Sequence, residues 1–352
     1  MRHGNTRGQS PPEHNYIAAP AHQRHAGQAG QAGSVRRLRS ARRWAIRTNN
    51  RGNLIMGEWV GAVGRLSRFP VKSMQGEQVD TVELDQGGVV GDRAYALVET
   101  DTGKVLSGKT PRIGSLLLGC RATFVGTPGA GDAMPPVQIS LPDGTTIRSD
   151  DTTVHATLSA LFDREVCLRR AAPDDFTIDQ YHPDLGDLDP DGPRDTVTES
   201  RLGAALFAMV GIPSPVPSGS FLDVFPLSVM TTSTLAQLEA LQPGTRFDES
   251  RFRMNVIVTG AGSGFVENAW VGQTLSIGNS ARMTITMPDP RCVMTTLAQG
   301  DLVAEPEVLR TLARHNRLEV LGGRYPCAGV YASVGAAGTV RTGDAVSFVE
   351  TT

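Results

Sequence analysis

Three short segments hold the residues of this chain best suited to chemistry: Phe69-Pro70-Val71-Lys72-Ser73, Arg251-Phe252-Arg253-Met254-Asn255, and Met287-Pro288-Asp289-Pro290-Arg291-Cys292-Val293-Met294-Thr295-Thr296. A lone cysteine usually packs as a small hydrophobe. Cys292 differs in following two prolines and an arginine, which put it on a stiff turn beside a positive charge. There a thiol can ionise, and the thiolate is the form that ligates metal. Lys72, Arg253 and Arg291 add fixed positive charge, and Asn255 adds an amide that can both donate and accept.

The elements that position these residues must be built from a chain of ordinary composition. With 352 residues, 39% hydrophobic and 20% charged, it can form two hydrophobic cores and reads as a globular protein. No run of about 18 apolar residues is present, so no membrane span is expected. Cys120, Cys167, Cys292 and Cys327 are widely spaced with no C-x-x-C pair, which argues against a structural zinc site or a disulfide framework. A cytoplasmic location is the simplest expectation. Residues 1–57 hold ten arginines, no lysine and Glu13 as the sole acid, so the remainder carries roughly −11 of the net charge of −2. This leader lacks apolar periodicity and is expected to be disordered, or to lie upstream of a start at Met56. Its arginines are not read as a nucleic-acid site.

From Glu58 the pattern is strand-like. Trp59 to Leu66, Val79 to Leu84, Ala94 to Glu99, Leu116 to Phe124 and Val137 to Leu141 are β-prone runs, with hairpins signalled at Asp143-Gly144 and Asp101-Thr102-Gly103. A helix follows, capped by Asp150 or Asp151, with Val154, Leu158 and Leu161 on its buried stripe. This gives a first domain over 58–170. Residues 171–198, acidic and rich in Pro and Gly, read as a surface connection. Its Asp187-x-Asp189-x-Asp191-Gly192 spacing only imitates a calcium loop, since Thr198 stands where the bidentate Glu belongs.

Over 199–352, Glu199 to Val210, Thr234 to Leu241 and Pro306 to His315 have helical spacing. Asn255 to Thr259, Gln273 to Ile277, Arg282 to Met287 and Ala345 to Val349 read as strands, with no parallel β-α-β alternation. Gly260-Ala261-Gly262-Ser263-Gly264 lacks the helix a nucleotide loop needs and reads as a hairpin turn. The fold class expected from these runs is α+β and β-rich: a β-rich N-terminal domain, then a second domain that mixes strands with peripheral helices.

Pro70-Val71-Lys72-Ser73, Gly91-Asp92-Arg93, Phe252-Arg253-Met254-Asn255, Arg291-Cys292-Val293-Met294-Thr295-Thr296 and Gly329-Val330-Tyr331 with Arg341-Thr342-Gly343-Asp344 stand in the order found in one family. The chain resembles the MOSC superfamily, specifically the two-part proteins in which a MOSC N-terminal β-barrel domain precedes the MOSC domain. Amidoxime-reducing components and their bacterial relatives are of this kind. The resemblance covers about 58–350 and implies a molybdenum cofactor (Mo-molybdopterin), with Cys292 as metal ligand and catalytic residue. It also implies cofactor contacts from Lys72, Ser73, Arg93, Arg253, Asn255, Arg291 and Tyr331. Thr231, Thr232 and Ser233, at the start of a helix, would offer hydroxyls and free backbone N–H groups to an anion. Pyridoxal phosphate binding also attaches to the family, as a weaker implication.

The blander readings are specific. Lys72 and Arg93 could be solvated loop charges, Arg253 could pair with Asp248 or Glu249, and Cys327 is read as a packed thiol beside Val330 and Tyr331. The activity implied is reduction of a small N-hydroxylated substrate, its oxygen leaving as water, with electrons from a separate ferredoxin, flavoprotein or cytochrome-type partner. The chain shows no plant-type cysteine cluster to hold an iron–sulfur centre of its own. The alternative is a molybdenum cofactor carrier, or a sulfur-transfer protein using Cys292.

Overall fold

The structure is a computed structural model that describes residues 44–48 and 54–350, apart from Asp174, Asp191 and Val210, with side chains from Gly57 onward. The leader expected to be disordered spans 1–57; residues 1–43 and 49–53 lie outside the described residues, but 44–48 and 54–57 are strand. Trp44–Thr48 pairs antiparallel with the start of the strand Leu54–Arg68, so strand pairing begins before Glu58.

Seven strands close into a barrel. Leu54–Arg68 is followed around the ring by Val256–Thr259, Leu227–Thr231, Gly323–Ala336, Ala281–Pro290, Thr274–Ile277 and Ala345–Phe348, which pairs back onto Leu54–Arg68. Every pairing in the ring is antiparallel except that between Leu227–Thr231 and Val256–Thr259. The interior is filled by Val63, Leu66, Val229, Leu275, Ile277, Met283, Ile285, Val330 and Val346, all essentially solvent-free. Closure leaves no open edge within the ring, and the strongly bent strands need bulges. Register shifts at Trp59/Gly61 and Ile257/Val258 meet this need. They also explain why the buried residues of the first strand run Val60, Val63, Leu66 rather than in strict alternation. Gly61 is required here, since a Cβ would lie 2.3 Å from the Thr259 carbonyl oxygen.

The first half of the chain forms a second layer. The strands Arg121–Phe124, Val137–Ser140 and Thr146–Arg148 make a three-stranded sheet, and Ala96–Glu99 pairs with Val166–Arg169. The helices Pro111–Gly119 and Val154–Phe162 cover them around a core that includes Leu117, Ile139 and Leu158. The two halves are interwoven: Leu54–Arg68 belongs to the barrel of the second half, and Thr81–Asp85 pairs with Gly338–Arg341. A division at residue 170 therefore separates chain segments without separating sheets.

Several elements differ from expectation, each for a local reason. Leu116 to Leu118 lie in a helix that Pro111 starts, and Cys120 ends that helix rather than sitting in a strand. Phe162 joins Val154 and Leu158 on the buried stripe of the next helix, with Leu161 half-buried. The presumed connection 171–198 folds as a hairpin of Thr177–His182 against Thr196–Arg201, anchored by buried Phe176 and Ile178 among acidic neighbours. Glu199 to Arg201 are therefore strand, and helix is confined to Ala204–Met209. The helix Thr232–Leu241 joins the two parallel strands, a β-α-β unit the sequence hid because all five residues of Leu227–Thr231 are buried and show no alternation. Gly260, Gly262 and Gly264 lead from Val256–Thr259 into the turn Val266–Trp270 instead of a hairpin. Asp189 pairs with Arg317 at 2.8 Å, and no group of three His, Cys, Asp or Glu side chains among the described residues is placed to hold a metal ion. Asp191 lies outside the described residues.

Candidate active site

A cleft of about 460 Å³ opens between the barrel and the first layer. Its inner wall brings Lys72, Ser73, Arg93 and Lys109 from the first half together with Asp223, Arg253, Asp289, Arg291, Cys292 and Tyr331 from the second. The first-half loops are laced to each other by the backbone. The Lys72 amide donates to the Tyr95 carbonyl (2.8 Å), the Arg93 amide to Phe69 (2.8 Å) and the Tyr95 amide to Pro70 (3.0 Å). Of the six non-glycine residues with positive φ among the described residues, four line this cleft: Ser73, Arg93, Arg253 and Leu321. Left-handed backbone at such residues costs on the order of 1 kcal/mol each and concentrates at functional sites.

Asp92 ties the halves together. Its carboxylate accepts from the Phe69 amide (2.8 Å), the Arg93 guanidinium and the Asn255 side-chain amide (2.9 Å). Asn255 also donates to the Ser67 carbonyl (3.4 Å) and accepts from the Ser228 amide and hydroxyl (3.1 Å each). Its amide is thus spent on holding the loop of Asp92 and Arg93, and is not a free edge for a pterin. The Phe69 ring carries two guanidiniums, with Arg93 Cζ 4.4 Å and Arg253 Cζ 4.3 Å from its centroid. Arg93 also donates to the Arg253 carbonyl (3.2 Å), and Arg253 to the Met74 carbonyl (2.6 Å). The alternative partners of Arg253 are engaged elsewhere, Asp248 with Ser250 and Glu249 with Arg65. Burial and the neighbouring Arg93 pull the Arg253 guanidinium below its ordinary value.

Two lysines share one carboxylate. Lys72 pairs with Asp223 Oδ1 and donates to the Phe221 carbonyl (2.7 Å), while Lys109 Nζ lies 2.8 Å from Asp223 Oδ2. Burial pulls Lys72 below the usual lysine value, only partly opposed by Asp223. Burial acts the same way on Lys109, but the charges of Asp223 and Cys292 outweigh it and hold that ammonium high. Cys292 caps the short turn Val293–Thr296, its carbonyl accepting from the Thr295 amide and hydroxyl. Arg291 donates to Asp289 and to the Phe252 carbonyl, both at 2.5 Å, leaving its buried Nε without a partner. Tyr331 hydrogen-bonds Asp289; burial and that carboxylate push its phenol well above the usual value. Burial likewise raises Asp289 to about 6 despite Arg291. Six cationic side chains (Lys72, Arg93, Lys109, Arg201, Arg253 and Arg291) thus line the cleft against three carboxylates (Asp189, Asp223 and Asp289). Such an excess favours an anion beside the cysteine.

Ser73 contributes its hydroxyl to the Gly108 amide (3.0 Å) and so fixes the loop that carries Lys109. The threonine cluster is elsewhere. Thr231, Thr232 and Ser233 begin the helix Thr232–Leu241, but none of them lines the cleft. The Thr231 amide and hydroxyl and the Thr234 hydroxyl all donate to buried Glu267, so the chain's own carboxylate already occupies this helix start. Cys327 is buried and directs its thiol to the Tyr325 carbonyl. Reasoning from the sequence missed Lys109 and Asp223. One signal existed: the chain has three lysines, Lys72, Lys104 and Lys109, among 34 basic residues. Two of the three meet in this cleft.

Residues 60–167 match the family model of the MOSC N-terminal beta barrel domain, and residues 218–347 that of the MOSC domain. The chain is a two-part MOSC protein. The cleft lies where the two matched segments meet, and the hairpin Thr177–Arg201 falls between them. Mitochondrial amidoxime reducing component 2 of Bos taurus is 30% identical over 136 residues, 36% of this chain and 38% of that protein. Its counterpart from Macaca fascicularis is 32% identical with the same coverage, so the match spans well under half of these relatives. The YUAD protein from Bacillus subtilis, a solved structure, aligns over 88% of this MOSC protein and all of its own chain at 12% identity and a TM-score of 0.36.

Proposed function

We propose that this MOSC protein is a molybdenum cofactor-dependent reductase of small N-hydroxylated compounds, supplied with electrons by a separate redox protein. The observation that carries the reading is Cys292 in a cleft whose inner wall holds more buried positive than negative charge. A bare metal ion does not suit this donor set, because among the described residues no three His, Cys, Asp or Glu side chains are placed to share one. A metal that arrives on an anionic organic ligand does suit it, and the volume is ample for such a group.

Cys292 would bind the metal, while Lys72, Arg93, Arg253 and Arg291 would hold the anionic portions, with the spare Arg291 Nε among the donors. When bound, the cofactor would supply the two-electron, oxygen-accepting chemistry that no protein side chain offers. Overall an N–OH bond is replaced by N–H, two electrons and two protons are consumed, and one water is released. Within the chain, Asp289 sits near neutrality and is linked by hydrogen bond to Tyr331, so this pair can hold a proton at the cleft wall. Lys109 and Lys72 keep the cleft electropositive through Asp223. No helix among the described residues is long and apolar enough to cross a membrane, and all four cysteines are free. Free cysteines suit a reducing compartment, and we propose the cytoplasm; the names of its relatives carry the word mitochondrial.

The test is to purify the protein from a host that makes the cofactor, measure molybdenum and pterin per chain, and assay amidoxime reduction with a reduced viologen dye. Near-stoichiometric metal with turnover supports the proposal. Metal without turnover would make the protein a carrier, and absence of both would end the reading.

A further inference from the structure

Beside its charged groups the cleft is lined by several apolar residues, and one of them is held there at a cost. The strands Arg317–Val320 and Gly323–Ala336 are joined by a two-residue loop, Leu321-Gly322, with Val320 paired to Gly323. Both loop residues have positive φ, 49° and 82°, as tight hairpins of this length require. Asn, Asp or Gly normally fills the first position, because a longer side chain is strained there. Leucine is strained, and it is also 76% exposed, the most exposed large hydrophobic residue among those described. An exposed leucine alone is ordinary. An exposed leucine in left-handed backbone gains nothing from burial to offset the strain, so its retention needs another reason.

Its position supplies one. Leu321 lines the same cleft as Cys292, beside Tyr325, which is 45% exposed. The Tyr325 ring lies across Gly323, so close that a Cβ there would stand 2.7 Å from the ring. Pro183, Leu185 and Pro193, from the hairpin between the two family segments, also line the cleft and add apolar surface. Resting on the function proposed above, we infer that Leu321 is a specificity-determining residue, gripping the apolar body of a substrate whose N-hydroxyl head reaches the charged inner wall. The occupant is the substrate rather than the electron donor because Leu321 lines the same cleft as Cys292.

Leu321→Asn tests this, since asparagine tolerates left-handed backbone and removes the apolar contact. Leu321→Met is the control that keeps it. The probes are straight-chain amidoximes from acetamidoxime to octanamidoxime, with reduced methyl viologen as donor. In the wild type, kcat/KM should climb with chain length, by up to roughly fourfold per methylene buried. Leu321→Asn should lose about tenfold or more on octanamidoxime through KM, stay unchanged on acetamidoxime, and melt at or above the wild-type temperature. Leu321→Met should keep the chain-length preference. Equal losses on both substrates, or a loss seen only with a protein donor, would overturn the inference. If the wild type turns over no amidoxime, the functional reading fails by itself, and calorimetric binding of octanamidoxime still decides the apolar contact. Equal affinity in wild type and Leu321→Asn would then sink it.

Discussion

Replacing Asp223 with asparagine isolates the electrostatics of the cleft from everything that binds in it. The carboxylate accepts from Lys72 on one oxygen and from Lys109 on the other, and its side chain is only 29% exposed. Asparagine keeps the shape but leaves two buried ammoniums with no counter-charge. Removing one partner of a buried pair costs about 3–5 kcal/mol, and the partial exposure favours the lower figure, about 3 kcal/mol. For a folded body of this size that corresponds to roughly 6 °C in melting temperature. The assay is thermal unfolding of cofactor-free protein at low salt, with and without phosphate, which should recover part of the loss by sitting among the basic groups. Adding Lys109→Met to Asp223→Asn should also recover part of it. The pH dependence has a defined sign. Burial alone would raise Asp223, but the charges of Lys109 and Lys72 outweigh it and hold the carboxyl well below its ordinary range. Its contribution is therefore present above the unfolded carboxylate value of about 3.9 and fades as pH falls below that toward the folded value, so the gap between wild type and variant should close in acid. If Asp223→Asn melts with the wild type at neutral pH, the lysines are solvated and the argument for an anion-seeking cleft is wrong.

Cys292→Ser should fold normally and lose amidoxime reduction, because a hydroxyl is a harder and far less acidic ligand, while Cys120→Ser and Cys167→Ser should keep turnover; an active, fully metal-loaded Cys292→Ser protein would remove the metal assignment. Lys72→Ala and Arg93→Ala should each lower pterin content measured by release and fluorescence, and Arg93→Lys should restore it only in part, since an ammonium cannot both lie over Phe69 and reach Asp92 and the Arg253 carbonyl. Gly329→Ala should cost about 2–4 kcal/mol in denaturant titration: its φ is 76°, and the added Cβ would lie 2.7 Å from the Val229 carbonyl oxygen of a neighbouring barrel strand. A stable Gly329→Ala protein would mean that the strand contact relaxes more easily than the geometry implies.

What the sequence revealed depended on whether a residue's role was local. The helix Glu307–His315 is legible because Val308, Leu309 and Leu312 keep helical spacing, and Thr274–Ile277 is legible because it alternates. The strand Gly323–Ala336 is hidden by Pro326 and Gly329, although it pairs with three other strands. In the cleft, Lys72, Arg93, Arg253, Arg291, Cys292 and Tyr331 stood in recognisable runs and converge in space. Lys109 and Asp223 stood in none, because each has meaning only through the other. Thr231 was misplaced for the converse reason: a helix start does suit an anion, but Glu267, distant in sequence, provides it.

The closing contact of the barrel joins the strand Leu54–Arg68 to Ala345–Phe348, nearly the whole described chain apart. Loop closure over so many residues is entropically costly, and contacts of long sequence separation slow folding. A ribosome must release everything from the first of these strands through Phe348 before this ring can shut, so the early strand waits with its pairing groups unmet. That interval is when such a protein is exposed to aggregation and to chaperones. It also means that a fragment cut at the boundary between the two family segments would strand one barrel stave in the wrong piece. Co-expressed halves should recover a folded protein only by finding each other.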